Sequence, residues 1–118
     1  MVVYNVTFQL DPEVEQDWLH WMEKEHIPEM LATQLFQEAK LLRVCNDTGD
    51  FTGSYAIQYL APSKQHLDTY LTEHSSSLRK KTSQRFGEKA LAFRTHLEVM
   101  SWQSWKLFVQ KNTWGSTF

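Results

Sequence analysis

A strict alternation of side chains opens the chain and constrains its fold more than any other feature. Between Val2 and Leu10, polar residues occupy most of the odd positions and large apolar residues occupy the even ones. The apolar set is Val2, Tyr4, Val6, Phe8 and Leu10. A period of two with β-branched and aromatic residues predicts a strand with one apolar face. Other elements must then cover that face.

A helix is predicted directly after this strand. Asp11 supplies an acidic N-cap, and Pro12 suits the first helical position. Its apolar stripe consists of Val14, Trp18, Trp21 and Met22. We expect the helix to end by Ile27, because Pro28 disfavours helical geometry in the residue before it. Glu29–Thr33 is predicted as a further short helical turn.

Two strands are predicted next, over Phe36–Asn46 and Thr52–Leu60. The polar segment Asn46–Asp50 between them has the composition of a hairpin turn. The first of the two strands has an alternative interpretation, since Gln37–Leu42 also suits a helix.

A second helix is predicted from Pro62 to Phe86, with Gly87 as its terminator and a bend expected at Ser75–Ser77. A last strand over Ala90–Met100 completes a β-α-β-β-α-β order. This order predicts an α+β, ferredoxin-like fold, with a four-stranded antiparallel sheet and two helices on one face.

Composition limits the class of protein. The length of 118 residues suits one domain, and 12 basic against 14 acidic residues argue against nucleic-acid binding. We expect no membrane partner, since no apolar run reaches the length of a membrane span. The start of the chain lacks the pattern of a secretory signal, and Cys45 has no second cysteine to pair with. We therefore expect a cytoplasmic protein.

The two helices can cover only one face of the sheet. The face expected to meet them carries Tyr4, Val6, Phe8, Leu91, Phe93, Leu97 and Val99. The opposite face is expected to carry Asn5, Thr7, Gln9, Arg94, His96 and Glu98. The middle strands are expected to add Arg43, Cys45 and either Gln58 or the pair Tyr55 and Tyr59. A slip of one residue in register would exchange these sets.

This second face mixes apolar and polar groups, which is typical of a surface covered by a second copy of the chain. We therefore predict a homodimer formed through the open sheet face, with a cleft for a small-molecule ligand. The ligand-binding residues predicted for that cleft are Asn5, Arg43, Tyr55, Gln58, Arg94 and His96. An ordinary solvated sheet face is the alternative.

Three histidines are candidates for a catalytic base: His26, His74 and His96. His26 lies near a helix end, where a structural cap or ion pair is the alternative role. His74 falls on an apolar helix stripe, which also suits a hydrogen-bonded core residue. His96 shares a strand face with Arg94 and Glu98, where cross-strand ion pairs explain it equally well.

Neither a metal nor an organic cofactor is predicted. Glu23 and His26 have the spacing of a carboxylate-bridged metal site, but no second pair of this kind follows. The sequence has no nucleophile elbow, phosphate-binding loop, paired-cysteine zinc motif or dinucleotide fingerprint. Chemistry without a cofactor remains open, since positioning and one general base suffice for an activated substrate.

Several short segments together resemble a small bacterial family of unknown function. They are Tyr4–Thr7, Trp18–Met22, His26–Pro28, Ala32–Thr33, Phe36, Tyr55–Tyr59, Arg85–Gly87 and Ala92–Val99. The resemblance covers about residues 1–100 and implies a ferredoxin-like, dimeric α+β barrel with no assigned reaction. Gln34 stands where the family pattern has glycine, and this leaves the local backbone open.

Residues 101–118 depart from the family pattern and form an aromatic C-terminal extension, with Trp102, Trp105, Phe108 and Trp114. Burying one such ring stabilises a protein by about 2–3 kcal/mol. We expect the extension to pack on the body or across a dimer. The leading functional hypothesis is a small-molecule-binding dimer. The alternatives are a cofactor-independent monooxygenase or isomerase, and a structural or protein-interaction dimer.

Overall fold

The structure, a computed structural model, describes residues 1–106 and has the predicted order of elements. Its strands are β1 (Val2–Leu10), β2 (Glu38–Cys45), β3 (Phe51–Ala61) and β4 (Ala90–Glu98). They form one antiparallel sheet in the order β2-β3-β1-β4. The ferredoxin-like fold class and the hairpin between the two middle strands are confirmed, and the helical alternative for residues 37–42 is wrong.

The first helical region is longer than predicted. A 3-10 turn (Pro12–Val14) leads into α1 (Glu15–Trp21), then a π-helical turn (Met22–His26), then α2 (Ile27–Ala32). The Asp11 carboxylate accepts a hydrogen bond from the backbone N–H of Glu13 at 2.9 Å, as an N-cap does.

The prediction that this helix ends by Ile27 is wrong. The backbone N–H of Ile27 donates to the carbonyl of Met22, five residues back. This wider turn restarts the α-helix with Pro28 in its first turn, where the missing proline N–H costs little. The π-helical turn thus allows the helical region to continue past Pro28, although proline ordinarily ends a helix.

The second helical region consists of α3 (Lys64–Glu73) and α4 (Ser75–Phe86). The break lies at His74, whose φ of −124° is not helical, one residue before the predicted bend. A 3-10 turn (Gly87–Lys89) then leads into the last strand.

Gln34 has a φ of +64° and is the non-glycine residue with positive φ among residues 1–106. Its backbone N–H donates to the carbonyl of Leu31 at 3.0 Å and closes the end of α2. The backbone thus has the left-handed conformation that glycine adopts at low cost, although glycine is absent here.

The core lies between the helices and the helix-facing side of the sheet. Its most deeply buried large side chains are Tyr4, Trp18, Met22, Met30, Ile57, Tyr59, Leu67 and Tyr70. The even-numbered residues of β1 face this core, as predicted.

The predicted facing of β4 is wrong. Tyr4 lies opposite His96 and Val6 lies opposite Arg94, so both polar residues of β4 are on the helix-facing side. The apolar residues Leu91, Phe93 and Leu97 lie on the open face instead, and Glu98 shares the helix-facing side. Because β4 is an edge strand, its helix-facing side chains reach solvent beside the helices, and polar residues are tolerated there.

The open face therefore carries more apolar surface than the sequence predicted. Leu42, Leu91, Phe93 and Leu97 are all exposed there, Phe93 to 60%. Within the described 106 residues, no helix has the length and apolar character to cross a lipid bilayer.

Candidate functional site

A small cavity lies between the sheet and the helices, and we call it the His26 cavity. Its volume is about 20 Å³, enough for one water molecule or one small chemical group. Its aromatic and apolar wall consists of Tyr4, Val6, Phe8, Met30, Tyr59 and Tyr70. Its polar lining consists of His26, Arg79, Thr82 and Arg94.

His26 comes from the π-helical turn and is only 7% exposed. Its ring stacks on Trp21, with centroids 4.7 Å apart and planes 19° apart. Its Nδ1 is buried and has no hydrogen-bond partner among residues 1–106. A buried nitrogen without a protein partner is free to form a hydrogen bond with a molecule that enters the cavity.

The surroundings of His26 disfavour its charged form. The pKa of His26 is lowered to about 4, chiefly by burial; Glu29 opposes this, and the positive charges of Lys81 and Arg94 contribute to the lowering. Glu29 is itself engaged by the Lys81 ammonium at 2.7 Å, which limits its pull on the imidazole. At neutral pH the ring is therefore uncharged and can accept or donate one hydrogen bond.

Arg79 reaches the cavity from α4. Its Nη2 donates to the phenol oxygen of Tyr4 at 2.8 Å, so the arginine bridges the helix layer and β1. Its Nε is buried and unpartnered within the part of the chain that the structure describes. Arg94 lines the cavity from β4, opposite Val6. The described lining thus contains two guanidinium groups and no carboxylate.

Two tyrosines of the wall, Tyr59 and Tyr70, remain protonated at neutral pH. Burial raises the pKa of Tyr59 and of Tyr70 well above the ordinary value. The Tyr70 hydroxyl donates to the sulfur of Met30 at 3.2 Å, and its ring lies 5.5 Å from that of Tyr4. The wall therefore presents uncharged aromatic rings to whatever occupies the cavity.

The other two candidate histidines, His74 and His96, contact the Tyr70 and Tyr4 rings. The His96 ring is 5.6 Å from Tyr4, and the His74 ring is 6.4 Å from Tyr70. His96 is exposed and His74 is half-buried, and neither lines the cavity in the described residues. Of the three candidate histidines, His26 is thus the one that lines the cavity.

The structure places the six predicted ligand-binding residues on both faces of the sheet and does not bring them together in one cleft of the described chain. Asn5 and Gln58 are paired neighbours in the sheet on its open face. Arg94 and His96 lie on the helix-facing side, at or beside the cavity. The cause is the reversed facing of β4.

Arg43 and Tyr55 form a separate cluster on the helix-facing side. They are paired across β2 and β3, and the Arg43 guanidinium lies 5.1 Å from the Phe51 ring centroid. The Tyr55 hydroxyl donates to the Glu15 carboxylate at 2.6 Å. Both polar groups are thus engaged away from the cavity.

Sequence reasoning missed Arg79 and Thr82. Both are on α4, and Thr82 lies with Leu78 and Phe86 on the buried stripe. The spacing of four between these three residues was visible in the sequence and placed a threonine hydroxyl inward. Arg79 gave no such signal, because an arginine next to a stripe is ordinarily solvated.

Glu23 and His26, which have the spacing of a carboxylate-bridged metal site, lie in different environments. Glu23 is exposed, whereas His26 points into the core. Residues 1–106 contain no group of three or more histidine, cysteine, aspartate or glutamate side chains arranged to hold a metal ion.

Comparison with known proteins agrees with this architecture. The model of the domain of unknown function DUF4286 matches residues 1–100 of the chain. The chain belongs to the DUF4286 family. This confirms the resemblance to a family of unknown function. No curated protein matches the sequence.

Several solved structures are similar to this DUF4286 domain. An "ethyl tert-butyl ether d (EthD) family protein" from Bacillus halodurans has a TM-score of 0.65 at 17% identity, over 85% of this chain and 100% of its own. A "dimeric ferredoxin-like protein" from an uncultured marine organism has a TM-score of 0.60 at 14% identity, over 86% and 97%. An "antibiotic biosynthesis monooxygenase" has a TM-score of 0.58 at 15% identity, over 86% and 100%. At these identities the likeness shows the ferredoxin-like fold alone.

Proposed function

We propose that this DUF4286 domain is a small-molecule-binding protein that functions as a homodimer, with its ligand at the His26 cavity. The observation that carries the proposal is a pair of buried, unpartnered polar atoms, Nδ1 of His26 and Nε of Arg79, on residues that line one cavity. Leaving such a group unpaired costs about 1–3 kcal/mol. A ligand that pairs with both atoms recovers this cost.

The shape of the cavity limits what enters it. A volume of about 20 Å³ holds one functional group of a ligand and no more. The remainder of the ligand lies at the margin of the helix layer, beside the exposed residues Arg94 and His96. We infer a ligand with one polar group inserted and an apolar or aromatic body outside.

The open sheet face supports the homodimer. Exposed leucine and phenylalanine side chains from β2 and β4 lie on it, at Leu42, Leu91, Phe93 and Leu97. β2 and β4 are the two edges of the sheet, so this apolar surface lies along both edges, with Ala56 and Thr7 between Leu42 and Phe93. Exposed apolar side chains grouped on one face are typical of a protein–protein interface. One of the similar structures is described as a dimeric ferredoxin-like protein. A second copy of the chain related by a twofold axis would cover the open sheet faces of both copies at once.

The C-terminal extension has its first aromatic residue on this same face. Trp102 borders a shallow site of about 50 Å³ together with Val3, Glu38, Lys40, Gln58 and Leu60. Those residues belong to β1, β2 and β3, so the segment after β4 returns across the end of the sheet. We infer that residues 101–106 pack at the rim of the dimer interface. Phe108 and Trp114 lie outside the described residues.

One observation favours an enzyme as the second candidate, namely a cofactor-independent monooxygenase or isomerase. His26 is unprotonated at neutral pH and has a free Nδ1, as a general base requires. A pKa of about 4 makes it a weak base, so a bound anion beside it would be needed to raise its basicity. His26→Gln would then abolish turnover, whereas ligand binding would be weakened but retained, since Nε of Arg79 still faces the cavity.

The setting of the protein is inferred from its cysteine. Cys45 is exposed on β2 and unpaired. Reducing compartments preserve exposed free thiols of this kind, and we infer a cytoplasmic location.

A crystallographic fragment soak tests the ligand site. We expect electron density for bound fragments in the His26 cavity, with a polar atom within hydrogen-bond distance of His26 Nδ1 or Arg79 Nε. Fragments found only on the open sheet face, or a cavity closed by side chains throughout, would refute the proposal.

A further inference from the structure

We propose that the His26 cavity recognises the carboxylate group of a small organic acid, held between the guanidinium groups of Arg79 and Arg94. This inference rests on the proposed binding function and adds the chemical class of the ligand. It excludes neutral amides and inorganic dianions as preferred occupants.

The arrangement of ion pairs supports an anionic ligand. Four ion pairs occur in the described part of the chain, and their basic members are Lys64, Lys81, Arg85 and Lys89. Arg79 and Arg94 belong to none of these pairs, although both line the cavity. The partner of Arg79 is the neutral Tyr4 hydroxyl. Both cationic groups that line the cavity thus lack a carboxylate partner within residues 1–106.

The geometry of the donors favours a planar anion. A guanidinium presents parallel N–H groups that match the two oxygens of a carboxylate. Because Nη2 of Arg79 is engaged by Tyr4, its buried Nε is a donor left for the ligand. The cavity volume of about 20 Å³ suits a planar carboxylate head with two oxygens better than a phosphate with four.

His26 responds to the charge of such a ligand. Glu29 from α2, Lys81 from α4 and Arg94 from β4 are the charged groups that act on its imidazole. A ligand carboxylate bound beside Nδ1 of His26 adds a negative charge next to the imidazole ring. This charge favours the protonated imidazolium form of His26. We therefore expect ligand binding to raise the pKa of His26, which gives a readout specific to charge at this site.

The test uses benzoate, its neutral isostere benzamide, and inorganic phosphate as probes of the full-length protein at constant ionic strength. Ring signals of His26 and Tyr4 are followed by NMR during each titration. We expect benzoate to shift both rings, with saturation at millimolar concentration, and to raise the pKa of His26. We expect benzamide and phosphate to bind at least about tenfold more weakly.

Variants assign the effect to the two arginines. Arg79→Gln and Arg94→Gln should each weaken benzoate binding by about tenfold or more, the effect of losing one charged hydrogen bond. Arg85→Gln is the matched control, since Arg85 is also on α4 but pairs with Asp17 at 3.2 Å. If Arg79→Gln fails to fold, Tyr4→Phe removes its hydrogen bond and retains the charge, and should retain the preference for benzoate over benzamide.

Each alternative result has a distinct meaning. Equal binding of benzamide and benzoate, or benzoate binding that is unchanged in both arginine variants, overturns the carboxylate assignment and leaves the cavity as a ligand site. Phosphate binding tighter than benzoate replaces the organic acid with an inorganic oxyanion. If neither probes nor fragments shift the His26 ring, both the carboxylate assignment and the proposed binding function fail.

Discussion

The side chain of Arg79 on α4 donates a hydrogen bond of 2.8 Å to the phenol oxygen of Tyr4 on β1. The two residues are 75 positions apart in the chain, and their contact joins the helix layer to the centre of the sheet. The contact also fixes the guanidinium beside His26, where a second arginine and an uncharged imidazole complete the polar lining. Arg79 thus combines a structural contact with the ligand-binding role that we propose for it.

Acid should destabilise the fold through His26. In the folded protein the pKa of His26 lies at about 4, below the unfolded value of 6.5, so the unfolded chain binds the extra proton between these values. Above pH 6.5 this group contributes no pH dependence, and stability falls as the pH drops from 6.5 to about 4. The full loss is about 3 kcal/mol.

Urea unfolding between pH 7.5 and 4.5 measures this effect, with the pH slope as the readout. His26→Gln should flatten the slope, while the matched variant His20→Gln, at an exposed position on α1, should retain it. An identical slope in wild type and His26→Gln would show that His26 does not carry the pH dependence.

Replacing Gln34 by glycine should stabilise the protein. The left-handed conformation at φ +64° costs a non-glycine residue about 1–2 kcal/mol, part of which is offset by the greater freedom of unfolded glycine. We expect a net gain of about 0.5–1 kcal/mol in the free energy of unfolding. Chemical denaturation of Gln34→Gly measures it.

A substitution of glycine by alanine at another position with positive φ is the control for this backbone effect. Gly49 has a φ of +85° and open space around its Cα. Gly49→Ala should therefore destabilise through backbone strain alone. A Gln34→Gly variant less stable than wild type would show that its side chain contributes more than the conformational strain costs.

A charge on the open face should prevent dimerisation. Phe93 is 60% exposed at the centre of β4, and Phe93→Glu would place a carboxylate in the proposed interface. Sedimentation equilibrium at micromolar concentration should give twice the chain mass for wild type and a single-chain mass for the variant. Gln84→Glu, at an exposed position on α4, adds the same charge away from the sheet and should remain dimeric. A monomeric wild type would exclude the homodimer.

The extension should strengthen that dimer. Trp102 lies against residues of the open face, so a chain truncated after Met100 loses part of the proposed rim. We expect a higher dissociation constant with the unfolding free energy of the subunit nearly unchanged. A dimer of unchanged affinity would show that the extension has no role in association.

The sequence predicted the fold well because the patterns of β1 and of the helices were unambiguous. The alternation in β1 identified its buried face, and Asp11 identified the helix start, since both depend on neighbours along the chain. The facing of β4 could not be predicted in the same way. Alternation shows that the two faces of a strand differ in polarity. Which face is buried depends on the position of the helix layer, and the edge strand β4 lies partly outside that layer.

The site was predicted only in part for a related reason. His26 was identified as a candidate, yet its burial depends on the π-helical turn that carries the helix past Pro28. Arg79 was missed because its contact with Tyr4 joins elements far apart in sequence. Long-range pairings of this kind leave no local periodicity in the chain.

The ring signals of His26 during a fragment titration, compared between wild type and Thr82→Leu, test the central claim most directly. Thr82 is buried and lines the cavity, so leucine fills it, while Ser83→Leu at the exposed neighbouring position is the control. We predict that fragments shift the His26 ring in wild type and Ser83→Leu and leave it unmoved in Thr82→Leu. Fragments that bind Thr82→Leu as tightly as wild type, with shifts confined to open-face residues such as Phe93, would contradict a ligand site at His26.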